Sequence, residues 1–112
     1  TSDRAAIDSL ASLSGRHVCI LGDMLEMGGN APELHRSVGE YAAAHGVDLV
    51  ITQGELAKYI AEGAGTASAH YPDRASLLAA LPEVLHEGDV VLVKASHGAH
   101  FEEISEAVKQ LS

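Results

Sequence analysis

The most constraining feature of this sequence is a short apolar run, RHVCILGDMLEMG at residues 16–28, that ends in a glycine and an acid. Its centre, residues 17–21, shows no alternation of apolar and polar side chains, which is typical of a strand covered on both faces by helices. Gly22 and Asp23 follow at its carboxyl end. Ligands of open α/β sheets bind beyond the carboxyl ends of the strands, so Asp23 is a candidate contact for a hydroxyl, an amine or a metal. The structural alternative is that Asp23 caps the turn that follows.

Composition limits the class of protein. A chain of 112 residues predicts one domain, 1–112, and a helical start without Met suggests a domain excised from a longer protein. Seven Lys and Arg against 16 Asp and Glu give a formal net charge of −9, so we predict no nucleic-acid partner. No apolar run approaches the ~20 residues that span a bilayer, and no signal-peptide pattern opens the chain. Cys19, the only cysteine, is expected to be a buried, inert thiol, which fits a cytoplasmic location.

Hydrophobic spacing predicts the order αβαβαβαβα. The strands are predicted over residues 17–21, 47–52, 68–71 and 90–94. The first and last helices are predicted over residues 3–13 and 100–111. A second helix is predicted to begin at the cap Asn30-Ala31-Pro32-Glu33, and a third after Thr52-Gln53-Gly54-Glu55, which has the spacing of a capping box. A fourth helix is predicted from Asp73, with a kink or a restart at Pro82.

This alternation favours an α/β fold, a three-layer Rossmann-like domain whose mainly parallel sheet is flanked by helices. If strands two and three lie on one side of strand one and strand four on the other, the order is 3-2-1-4. A crevice then opens between strands one and four. The loops at residues 22–28 and 95–100 are expected to meet there.

The second of these loops, KASHGAHFEE, is a candidate anion site. Lys94 ends a predicted strand, and Ser96 and His97 follow among small residues before a helix N-terminus. Such loops bind phosphate or carboxylate groups through backbone N–H groups, with Lys94 adding a positive charge. Alternatively, Lys94 extends from the strand end to pair with Asp23 or Glu26.

The sequence gives little support for a metal site, for a nucleophilic serine or for a complete nucleotide site. His97 and His100 have a spacing that metal ligands use, but no third ligand accompanies them, so no metal site is predicted. The G-x-S-x-G elbow is absent around Ser96, and no phosphate loop or dinucleotide fingerprint occurs, so a catalytic domain acting alone is not expected. Solvated or core-edge positions are expected for the remaining histidines, His17, His35, His45, His70 and His86.

Three segments carry a family resemblance: VCILGDMLEMG at residues 18–28, PELHRSVGEYA at residues 32–42 and VLVKASHGAHFEE at residues 91–103. Together they resemble the C-terminal domain of the Mur ligases. Within this family they are most similar to the branch that adds D-alanyl-D-alanine to UDP-N-acetylmuramoyl-tripeptide in peptidoglycan precursor synthesis. The resemblance covers essentially the whole chain.

The resemblance implies ATP-dependent amide formation through an acyl phosphate, with Mg²⁺ and the phosphate loop in a central domain and the UDP-sugar in an N-terminal domain, both outside this chain. The C-terminal domain closes the site over ATP and the incoming dipeptide. By position, Asp23 resembles the acid that contacts the ATP ribose. Lys94, Ser96, His97 and Phe101 lie in the segment that faces the amino substrate and its carboxylate. The isolated chain is predicted to be inactive.

Two other classes remain open from the residues. A receiver-type signalling domain also uses an acid at one strand end and a lysine at a later one, although it needs a further acidic pair and a fifth strand. A non-catalytic interaction domain is the third interpretation.

Overall fold

In the part of the chain that the structure describes, four parallel strands form one sheet, in the order β3-β2-β1-β4. The strands are β1 (His17–Gly22), β2 (Leu49–Gln53), β3 (Ser68–Tyr71) and β4 (Val90–Lys94). The structure is a computed structural model, and it describes residues 7–10, 12–23, 31–65, 68–86, 88–94 and 102–111. The predicted strand order, 3-2-1-4, is confirmed.

In these described ranges, four helices connect and cover the strands, after a helical segment at residues 7–10. They are α1 (Ala31–Ala44), α2 (Ala57–Ala64), α3 (Arg74–Val84) and α4 (Glu102–Leu111). None of the helices in these described ranges is long and apolar enough to cross a membrane.

β1 is the centre of the molecule because it has a strand on each side and helices on both faces. Cys19 and Leu21 point into a core formed with α1, α2 and the segment at residues 7–10. Val18 and Ile20 point into a second core formed with α3 and α4. Burial on both faces explains the uninterrupted apolar sequence. Cys19 is a free, buried thiol, as predicted, and burial raises its pKa to about 12.

Two glycines set the contact between α1 and α2. A Cβ at Gly39 would lie 1.9 Å from the carbonyl oxygen of Ile60, and a Cβ at Gly63 would lie 2.1 Å from that of Arg36. Each glycine therefore lets the backbone of the other helix approach more closely than any side chain would allow. An exposed ion pair between Arg36 Nη2 and Glu62 Oε1, 2.9 Å apart, lies beside this contact.

At the amino-terminal edge of the sheet, Arg16 ties β1 to the connection between α3 and β4. Its Nε and Nη2 donate to the two carboxylate oxygens of Asp89 at 3.0 and 2.7 Å, and Nη2 also donates to the carbonyl oxygen of Val84 at 2.6 Å. The guanidinium lowers the pKa of the Asp89 carboxyl. This network satisfies the last turn of α3 and lies at the opposite edge from Asp23.

No restart occurs at Pro82: α3 continues to Val84, and the proline lies in the last turn, where its missing N–H costs the helix only one backbone bond. One expectation for a histidine is wrong. His35 is not solvated or at the core edge but fully buried on α1. The strands at residues 68–71 and 90–94 have the predicted bounds.

Candidate functional site at the carboxyl edge of the sheet

The carboxyl ends of all four strands lie at one edge of the sheet. Leu21 of β1 is paired with Thr52 of β2 on one side and with Lys94 of β4 on the other, and Thr52 is paired with His70 of β3. Asp23 follows two residues beyond Leu21. The backbones leading to the two predicted loops therefore leave neighbouring strands at the same edge.

The Asp23 carboxylate caps a helix that is distant in sequence. Its Oδ1 accepts hydrogen bonds from the backbone N–H groups of Leu56, at 3.0 Å, and Ala57, at 2.8 Å. These two groups begin α2, whose own N-cap residue, Leu56, makes no side-chain capping bond. A carboxylate at this position satisfies two unpaired donors and interacts favourably with the helix dipole. Asp23 thus caps α2, whereas the turn that was predicted for it to cap lies outside the described residues.

The second oxygen of Asp23 is in a different situation. Within the described part of the chain, the structure gives no hydrogen bond to Oδ2. A carboxylate oxygen accepts hydrogen bonds and can bind a hydroxyl or an amine. The structure therefore shows how one oxygen of Asp23 is fixed, by the first N–H groups of α2.

The predicted capping box at Thr52 is wrong. Thr52 belongs to β2 and is fully buried, and its hydroxyl forms a 2.7 Å hydrogen bond with Nδ1 of His70. In the interior, an unpaired hydroxyl is costly, so the cross-strand partner replaces the local capping role. Asp23 supplies the helix cap instead.

His70 is a polar residue of this edge that sequence reasoning did not single out as functional. Desolvation lowers the pKa of its imidazole and the charge of Lys58 acts in the same direction, whereas the charge of Asp23 opposes them. A lowered pKa keeps the ring neutral near pH 7. The signal in the sequence was weak, because a histidine in a short predicted strand has no distinguishing motif.

Of the predicted site residues, only Asp23 and Lys94 lie within the described part of the chain. Asp23 is described with its contacts, and Lys94 is described as the last residue of β4, without its side chain. Ser96, His97 and Phe101 lie outside the described residues, as does His100. The proximity of Asp23 to the second loop therefore stays a prediction.

The fold and the edge residues first define a class. A parallel sheet of order 3-2-1-4, covered by helices on both faces and carrying an acid just beyond its central strand, is a Rossmann-like α/β domain. A family model described as "Mur ligase, glutamate ligase domain" matches residues 1–97. The chain belongs to this Mur ligase domain family.

Individual relatives agree with this assignment. A UDP-N-acetylmuramoyl-tripeptide–D-alanyl-D-alanine ligase of Bacillus subtilis (strain 168) is 39% identical over 111 residues, which cover 93% of this chain and 24% of the relative. The ligase of the same name in Escherichia coli (strain K12) is 34% identical over 108 residues, 95% of this chain and 24% of the relative. The chain spans about a quarter of the length of these relatives.

A solved structure shares the fold. The MurF ligase from Thermotoga maritima, in complex with ADP, superposes with a TM-score of 0.82 at 24% sequence identity, over 98% of this chain and 25% of that one. MurF from Acinetobacter baumannii superposes with a TM-score of 0.76 at 24% identity, over 96% of this chain and 24% of that one.

Proposed function

We propose that this chain is the C-terminal domain of a three-domain, ATP-dependent ligase that joins D-alanyl-D-alanine to UDP-N-acetylmuramoyl-tripeptide. The observation that carries the proposal is the 39% identity over 111 residues to a relative with that name. Central and N-terminal domains would lie outside the 112 residues of this chain, in keeping with its coverage of about a quarter of the relatives. A cytoplasmic location goes with the proposal.

In this proposal Asp23 holds the ribose of ATP. The support is geometric: two backbone N–H groups fix one carboxylate oxygen, and the other oxygen is a hydrogen-bond acceptor beyond the carboxyl end of β1. A charged acceptor forms a stronger bond to a hydroxyl than a neutral one does. When bound, ATP supplies the activation of the tripeptide carboxylate, and we assign Mg²⁺ to the central domain.

We assign Lys94, Ser96, His97 and Phe101 to the side that receives D-alanyl-D-alanine. β4 is the neighbour of β1, so the chain after Lys94 leaves the sheet at the edge that Asp23 occupies. A lysine side chain and the backbone N–H groups of a loop of small residues are the kind of donors that bind a carboxylate such as that of the dipeptide. In this arrangement the domain contributes binding and closure rather than a catalytic residue.

The test is steady-state kinetics of the longer ligase that contains this chain. Asp23→Ala should raise KM for ATP by about tenfold or more, because a hydrogen bond to a charged group contributes about 1.5–3 kcal/mol. An ATP analogue that lacks the ribose hydroxyl in contact with Asp23 should bind the unaltered ligase more weakly than ATP does. In Asp23→Ala, the analogue and ATP should bind about equally.

Asp73→Ala is the matched control. Asp73 also caps a helix, since its Oδ1 accepts from the N–H of Ser76 at 2.7 Å, but it follows β3. This variant should lose stability and keep its KM for ATP. An unchanged KM for ATP in Asp23→Ala would refute the ribose contact. Turnover by the 112-residue chain alone would refute the proposal that the reaction needs the central and N-terminal domains.

The comparisons lend no support to a receiver-type phosphoacceptor or to a non-catalytic interaction domain. A stable phosphoryl adduct on Asp23, after incubation with a small phosphodonor and Mg²⁺, would favour the receiver class. Intact-mass measurement of the 112-residue chain would detect it.

A further inference from the structure

Gly54 lies directly beside the Asp23 carboxylate. A Cβ at Gly54 would lie 2.3 Å from Asp23 Oδ1 and 2.7 Å from Cγ, too close for the carboxylate to keep its present position, and 3.1 Å from Oδ2, which is a tight contact. The φ angle of Gly54 is also positive, at 123°. The backbone conformation therefore favours glycine here, and any larger residue would have to displace the carboxylate.

The register of the sheet explains this contact. Gly22 of β1 is paired with Gln53 of β2, so the next residues along the two strands, Asp23 and Gly54, leave the sheet side by side. Leu56 and Ala57 follow Gly54 closely and direct their N–H groups to Asp23 Oδ1. The carboxylate is thus held between the glycine and the first turn of α2.

We propose that Gly54 and the first N–H groups of α2 form a positioning device for Asp23, which commits Oδ1 to the protein and leaves Oδ2 for the nucleotide. Gly54 is a positioning residue, because it acts only through Asp23. The part that concerns the nucleotide rests on the proposed function. The part that concerns the carboxylate rests on contacts within this chain alone.

The substitution Gly54→Ala tests the device in the 112-residue chain. The new methyl group displaces the carboxylate, so the amide resonances of Leu56 and Ala57 and the carboxyl carbon resonance of Asp23 should shift strongly in NMR spectra. Gly46→Ala is the matched control, because Gly46 also has a positive φ, 87°, but its Cβ would meet nothing within 4 Å. The control should cause backbone strain without moving these resonances.

A thermodynamic cycle covers the case in which Gly54→Ala folds poorly. In the Asp23→Ala background there is no carboxylate to displace, so adding Gly54→Ala should lower stability less than the same substitution does in the original chain. A full additional loss in that background, or unshifted resonances of Leu56 and Ala57 in Gly54→Ala, would overturn the positioning device.

Kinetics of the longer ligase then separate the two proposals. Gly54→Ala should raise KM for ATP by about the factor that Asp23→Ala does, and the double variant should be no worse than Asp23→Ala alone. Gly46→Ala should leave KM for ATP unchanged. If the NMR spectra show a displaced carboxylate but KM for ATP stays the same, the ribose contact is refuted while the placement of the carboxylate by Gly54 stands.

Discussion

Gly39→Ala is predicted to destabilise the chain, although alanine is the better helix former. The new Cβ would lie 1.9 Å from the carbonyl oxygen of Ile60 and 2.8 Å from the backbone nitrogen of Ala64, whereas real Cβ atoms essentially never approach within 3.0 Å. α1 and α2 must therefore separate by roughly 1 Å, and the obstacle is backbone that no rotamer change can move away.

The size of the effect follows from two opposing contributions. Overpacking of a core typically costs about 1–3 kcal/mol, and contact with backbone favours the upper end of this range. Replacement of glycine by alanine inside a helix stabilises by about 1 kcal/mol. The net loss in free energy of unfolding should be about 1–2 kcal/mol, which lowers the urea midpoint by about 1 M or somewhat less.

Glu40 provides the control, because it is the exposed neighbour of Gly39 on the same helix. Urea unfolding of Glu40→Ala and Glu40→Gly should show alanine to be more stable by about 1 kcal/mol, the reverse of the order at position 39. Gly39→Ala and Gly63→Ala should be less than additive, because a single separation of the helices relieves both contacts. A Gly39→Ala chain as stable as the original would refute the close contact of the two helices.

Two further predictions concern the amino-terminal edge and are checked by urea unfolding across pH. Asp89→Asn should cost roughly 2 kcal/mol near pH 7 by weakening charged hydrogen bonds with Arg16. Because the folded-state pKa of Asp89 is lowered, its contribution is present above the unfolded pKa and lost as pH falls through the folded pKa, so the variant should lose less stability in acid. An equally steep acid limb in the variant would contradict this. His17 directs both ring nitrogens at carbonyl oxygens, those of Leu13 and Gly46, and these hydrogen bonds raise its pKa. Its contribution should be full below the unfolded pKa, near 6.5, and lost as pH rises through the folded value; His17→Gln should remove this alkaline loss, and an unchanged loss would contradict the assignment.

The strands were predictable from sequence because each has a local cause. Residues 90–94 and 68–71 carry short runs bounded by turn residues, and β1 has the uninterrupted apolar run of a doubly covered strand. The order 3-2-1-4 was one of the few arrangements that right-handed crossover connections allow. These features depend on patterns of a few residues, so the rest of the fold was not needed to see them.

The face that α1 buries was harder to predict. Helical spacing alone does not distinguish Leu34 from His35 as the residue that enters the core, and the structure leaves Leu34 39% exposed while burying His35 completely. His35 lies four residues before Gly39, on the face of α1 that packs against α2. Glycine has no side chain and adds nothing to a pattern of apolar residues, so hydrophobic periodicity does not indicate which glycines lie in a helix contact.

The contacts of Asp23 could not be read from local sequence at all. Its partners, Leu56 and Ala57, are 33 and 34 residues away, and the nearby capping signal at Thr52 pointed to the wrong residue. Their meeting depends on where α2 begins, and the position of α2 depends on its contact with α1 at Gly39 and Gly63. A helix moves largely as a rigid body, so a shift at that contact would reach its first turn and lengthen bonds that are now 2.8 and 3.0 Å. We therefore expect the packing of α2 against α1 to affect the position in which the Asp23 carboxylate is held.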